Sequence, residues 1–152
     1  MRNVLVLGAV MLASLACGGT GSTASNSPAV SPPVIVVDVI GKSVKGQTED
    51  VLTNTSAMTL YYLTSDTATA VKCSGQCATF WPPLLLTSGD PGAGATLPKQ
   101  LTTSTTTNGR QVEYDGHPLY LFSKDKTSSD TKGEGITAFG GTWHAATPQM
   151  TM

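Results

Sequence analysis

The side chains of this sequence with the types and spacing for chemistry are Cys73 and Cys77, His117 and His144, Met150 and Met152, and the carboxylates Asp66 and Asp125. Two cysteines separated by three residues close a small disulfide in an oxidising compartment, exchange electrons if redox-active, or ligate a metal as thiolates. Thioredoxin-type exchange uses two intervening residues and a helix N-terminus that lowers the thiol pKa, and neither is evident here, so the structural disulfide is the favoured of the three. His144 with Met150 and Met152 would offer an imidazole and two soft thioethers to Cu(I). Against this, such a tail is more often a frayed terminus, and histidines in strands or turns are more often packed or solvated than ligating. Asp66 and Asp125 would bind Ca²⁺ or act as acid and base if they met, but an Asx-turn cap at a strand end explains each more simply. A hydrolase built on Ser with His117 or His144 has no support, because the chain lacks a G-x-S-x-G elbow, an H-E-x-x-H helix and a phosphate-binding glycine loop. Neither catalysis nor a resident cofactor or metal is expected.

The elements that must position these groups announce themselves by repetition. Leu60-Tyr61-Tyr62-Leu63-Thr64-Ser65-Asp66 returns as Leu119-Tyr120-Leu121-Phe122-Ser123-Lys124-Asp125, with Tyr61 to Tyr120 and Asp66 to Asp125 both offset by 59 residues. Trp81 and Trp143 follow at an offset of 62, so the second copy carries a small length change. A duplicated unit usually buries its apolar face against its own copy. On a strand, alternate residues share a face, so Tyr61 and Leu63 point one way and Leu60 and Tyr62 the other, and Tyr120 and Phe122 share a face by the same rule.

The spacing Tyr-x-aromatic-x-x-Asp, carried by Tyr120, Phe122 and Asp125, resembles the bacterial lipoprotein family known as the secreted repeat of unknown function. So do Cys73-Ser74-Gly75-Gln76-Cys77-Ala78 running into Trp81-Pro82-Pro83-Leu84, and Gly141-Thr142-Trp143-His144. The likeness covers most of residues 50–148 and departs at Leu63, where an aromatic is usual. The resemblance implies an exported, often lipid-anchored, duplicated domain, and brings no accepted activity, cofactor or catalytic residue.

The remaining stretches read as strands and turns. Val34 to Ile40 is β-branched at every position but Asp38 and stops at Gly41-Lys42. Glu49 to Asn54 is a second strand, and Leu84-Leu85-Leu86 is a buried one. Thr102 to Thr107 leads through Asn108-Gly109 into Arg110 to Tyr114, then through Asp115-Gly116 to Leu119, a three-strand meander. Ser128 to Gly135 is a polar loop, and Phe139 to Ala146 is the last strand. The expected fold is all-β: two similar repeats of short antiparallel strands, about 50–87 and 108–148, in one compact domain over 34–152. The sheet should be barrel-like and nearly closed, with its seam between the two Tyr motifs.

Address and partners come from the leader. Met1-Arg2-Asn3 and the 13-residue run from Val4 to Ala16 form a signal peptide over 1–16, too short to span a bilayer as a helix. Ser14-Leu15-Ala16-Cys17-Gly18 resembles a bacterial lipobox, although Ser14 stands where Leu is usual. Lipidation at Cys17 removes the odd thiol and leaves Cys73 and Cys77 to pair; ordinary secretion with nearby cleavage is the alternative. Residues 17–33 are then the lipidated Cys and a flexible tether with a reach of roughly 20–24 Å. Gly18 resembles outer-membrane sorting if the source has two membranes. A net charge of −1 gives no reason to expect nucleic acid. The sequence therefore reads as a membrane-anchored cell-envelope module that binds an envelope protein or small ligand or is structural, with a redox or copper-binding protein as the alternative.

Overall fold

The computed structural model describes residues 31–151. The expected signal peptide over 1–16, Cys17, the expected tether up to Val30, and Met152 lie outside the described residues. Along the chain the elements are β1 (Val34–Val44), β2 (Gln47–Thr53), β3 (Tyr61–Leu63), α1 (Gln76–Phe80), β4 (Pro91–Ala93), β5 (Leu101–Thr106), β6 (Gly109–Tyr114), β7 (His117–Pro118), β8 (Thr137–Ala138) and β9 (Gly141–Ala145). The fold is all-β with a single five-residue helix among the described residues. No helix among them is long and apolar enough to cross a membrane.

The strands form three small sheets, ordered β2-β1-β4, β3-β9-β8 and β5-β6-β7, rather than one nearly closed sheet or barrel. One pairing is parallel, β1 with β4, where only antiparallel pairs were expected. Several strands are two or three residues long, so closure by continuous ladders has too little backbone to work with. Single bridges through segments outside the sheets link them instead, among them Tyr61 with Tyr120, Pro83 with Tyr120 and Leu85 with Gln111.

Leu84-Leu85-Leu86 illustrates the difference from the expected buried strand. Its backbone ties neighbouring segments, Leu84 N–H donating to Leu119 O and Val112 N–H to Leu84 O, yet no ladder grows from it. Pro82 and Pro83 have no N–H to extend one. The middle residue, Leu85, is exposed.

The first strand runs past its expected stop at Gly41-Lys42. Lys42 and Val44 are both buried beyond that point, and the reversal falls at Lys45 and Gly46, both in the left-handed region at φ 47° and 83°. That pair matches the twist a two-residue hairpin requires. Lys42 is tolerated inside because its Nζ donates to Ala57 O at 2.7 Å and Thr59 Oγ1 at 2.8 Å. Burial lowers its pKa, with Asp125 and Asp130 pulling the other way. The meander from β5 to β7 forms as its turn residues predict, Asp115 and Gly116 lying at φ 49° and 80°.

Two apolar clusters form the core, and strand alternation divides the motif between them. Tyr61, Leu63, Tyr120 and Phe122 lie in one with Trp81, Trp143 and both cysteines. Leu60 and Leu119 lie in the other with Val37, Leu52, Val112, Tyr114 and Met150, and Tyr62 and Leu121 pack against it.

Cys73 and Cys77 are joined as a disulfide, with Cα atoms 5.1 Å apart and both residues buried. The bridge clasps the start of α1. Replacing both cysteines by alanine should lower stability by about 2 kcal/mol on the chain-entropy model for so short a loop. Urea midpoints of the double variant and the oxidised parent would show it, and equal midpoints would mean the bridge does not constrain the unfolded chain.

Candidate functional site

The residues around the repeated motif exchange partners. Tyr61 Oη donates to Asp125 Oδ2 at 2.7 Å, and Tyr120 Oη donates to Asp66 Oδ2 at 2.7 Å. Each phenol therefore bonds the aspartate of the other motif, not the one five residues along its own chain. The main chain crosses at the same place, Tyr61 N–H donating to Tyr120 O at 2.8 Å and Tyr120 N–H to Tyr61 O at 2.9 Å.

The second oxygen of each carboxylate is also engaged. Asp66 Oδ1 accepts Lys72 N–H at 2.9 Å, and Asp125 Oδ1 accepts Lys132 N–H at 3.1 Å. Each aspartate thus holds the loop that follows it, six or seven residues on rather than the two of the expected Asx cap. Burial first, and then the bonded carboxylate, pushes both phenols well above their ordinary pKa.

Behind the crossed pairs, Trp81 and Trp143 stack with ring centroids 3.8 Å apart and planes 2° from parallel. Tyr61 meets Trp81 edge-on at 5.5 Å and Tyr120 meets Trp143 edge-on at 5.1 Å, arrangements that suit the ring quadrupoles. Gly133 closes this wall. A Cβ there would lie 2.7 Å from Tyr61 Cε1, and its N–H donates to Tyr61 Oη at 3.3 Å. Sequence reasoning saw Gly133 only as part of a polar loop.

His144 and Met150 line one shallow groove of about 340 Å³ together with Tyr62 and Glu134. His144 Nδ1 is 2.9 Å from Glu134 Oε1, and Glu134 Oε2 accepts Ala145 N–H at 2.8 Å. Burial alone would raise the Glu134 pKa, but these hydrogen bonds and His144 outweigh it and hold it lowered. Met150 is buried in the apolar core. His117 is buried too, its Nδ1 3.2 Å from Asp66 O and its ring 4.7 Å from that of Tyr62. Among the described residues no three His, Cys, Asp or Glu side chains are placed to hold a metal ion.

A second groove, about 200 Å³, is lined in part by the aromatic stack. Trp81 and Phe122, stacked at 4.2 Å, contribute to its lining. Phe80 and Phe139, 6.2 Å apart and about 40% exposed, are the solvent-facing aromatics of the lining, with Ile136 and Lys124 completing most of it. Phe80 ends α1 and is tied to the second motif copy, its carbonyl accepting Ser123 N–H at 2.9 Å. Phe139 takes φ 57° at the tip of the β8–β9 hairpin, followed by Gly140 at 86°. The expected final strand began at Phe139; the residue instead makes the turn, and the Phe-Gly dipeptide before Gly141 was the available signal.

No curated protein and no solved structure matches this chain. The segment from β5 through β9 holds the second motif copy, Tyr120, Phe122 and Asp125, together with Trp143. That segment, residues 102–147, matches the model of a family described as a secreted repeat of unknown function.

Proposed function

We propose that this protein is an exported, lipid-anchored module of the bacterial cell envelope that acts by binding rather than by catalysis. The observation that carries the reading is the crossed bonding of the motif. A general acid or base must reach a substrate proton within hydrogen-bond distance, directly or through one water. Asp66 and Asp125 are 0% and 6% exposed, and each has both oxygens taken by a phenol and a backbone N–H. The repeated residues therefore serve to lock two motif copies together, which also favours reading the chain as a duplication. What they leave open to solvent is an aromatic groove on a rigid support, the usual character of a small-ligand site.

Anchoring rests on the leader and Cys17. Intact mass of the protein from native membranes, before and after reduction, tests it. The expected product begins at Cys17, carries acyl chains and gains about two hydrogens on reduction of a single disulfide. An unacylated product with free thiols would overturn the anchored module. For copper, the groove at His144 brings Met150 near, but Met150 is packed in the core and His144 Nδ1 already faces Glu134, so no observation favours that alternative.

A further inference from the structure

We propose that the groove bounded by Phe80 and Phe139 is a binding site for a small planar aromatic carboxylate, with Lys124 as the counter-ion of its acid group. The inference rests on the reading of the chain as a binding module and adds the ligand class.

Two features of the groove have no return within the isolated chain. Phe139 is a bulky residue held at φ 57°, where Asn, Asp or Gly is the ordinary occupant of a hairpin tip. Its ring recovers little by packing, since it remains 41% exposed beside the equally open Phe80. Residues kept in such conformations cluster at ligand contacts and switch regions. The second feature is Lys124, the one charged residue lining an otherwise apolar groove. It forms no ion pair among the described residues.

Shape and charge together select the occupant. A volume of about 200 Å³ falls below the 300 Å³ or so at which drug-sized pockets begin, and suits one fused two-ring body. Lining by Trp81, Phe122 and the two exposed Phe rings favours a flat aromatic surface over an aliphatic chain. The lone cation favours an anion, and an exposed ammonium beside an apolar wall suits a carboxylate attached to that ring.

The test titrates the purified full chain with 2-naphthoate, with neutral 2-naphthylmethanol in parallel, and reads tryptophan fluorescence, which Trp81 places in the groove wall. Saturable quenching by naphthoate, at least tenfold tighter than by the alcohol, is the expected result. Phe139→Asn should raise the naphthoate Kd at least tenfold while the melting temperature holds or rises, because Asn suits the left-handed turn better than Phe. Lys124→Gln should bring naphthoate down to the affinity of the alcohol. Equal affinity for the two probes, or a Phe139→Asn Kd unchanged from the parent, overturns the ligand class. So does a groove engaged otherwise: lipid vesicles or a second copy of the chain bound through Phe139 in place of naphthoate. An acylated protein of the expected mass that ignores naphthoate loses this proposal and keeps the module reading, whereas an unacylated mass removes the anchored module whatever the titration gives.

Discussion

Tyr120→Ala should cost the folded protein about 3–5 kcal/mol, the range for removing a fully buried aromatic ring, and Tyr120→Phe about 1–3 kcal/mol. The alanine change empties a site of zero exposure between Trp143 and the strand bridge to Tyr61. The phenylalanine change keeps the ring and leaves Asp66 Oδ2 buried without its donor, so its cost isolates the hydrogen bond. Which aspartate suffers is the informative part. A double-mutant cycle of Tyr120→Phe with Asp66→Asn should give a coupling of about 0.5–3 kcal/mol, because the two groups are in direct contact. The same cycle with Asp125→Asn should give markedly less, although Asp125 is far nearer in sequence. Urea unfolding of the single and double variants measures both cycles. A larger coupling to Asp125 than to Asp66 would mean that each motif is closed on itself and that the crossing is wrong.

Trp143→Ala is the second large effect, again about 3–5 kcal/mol, and for a different reason. Trp143 is fully buried, and its Nε1 has no hydrogen-bond partner among the described residues, so its contribution there is packing and stacking rather than polar. Alanine strips the face of Trp81 at the 3.8 Å contact and the edge contact of Tyr120 at once. Trp143→Phe retains a stacking ring and loses no hydrogen bond, and should cost only about 1–2 kcal/mol. Far-UV circular dichroism in urea gives both values without relying on the deleted fluorophore. A Trp143→Ala loss below about 1 kcal/mol would show that the cavity refills and that the stack is dispensable.

These two experiments probe different levels of the same arrangement. The tyrosine cycle asks who bonds whom across the two motifs, and the tryptophan series asks how much the shared wall behind them contributes. Together with the groove titration they separate residues that hold the domain together from residues that face a ligand. Phe139 and Lys124 belong to the second kind because both are exposed, whereas Tyr120 and Trp143 are buried.

The sequence by itself determined whatever depends on near neighbours. Alternation along a strand is a local rule, so the split of Tyr61 and Leu63 from Leu60 and Tyr62 was legible and recurs as two clusters. Asp115-Gly116 carried its own turn chemistry, and a spacing of four residues brought Cys73 and Cys77 within reach of each other. The motif itself carried the resemblance to the secreted repeat, whose model residues 102–147 match. Tertiary structure alone decided the rest, because each remaining outcome depends on which distant segments lie side by side. The bond from Tyr120 to Asp66 joins residues 54 apart, and no local preference distinguishes Asp66 from Asp125 as its partner. Three short sheets rather than a closing barrel follow from ladders that prolines and strand length cut off. The exposure of Phe139 follows from a hairpin that reverses at Phe139 and Gly140, where a strand beginning at Phe139 was expected, a choice settled by the pairing of Ala138 with Gly141 and by Gly141 itself, whose Cβ would lie 2.8 Å from Leu63 Cδ1.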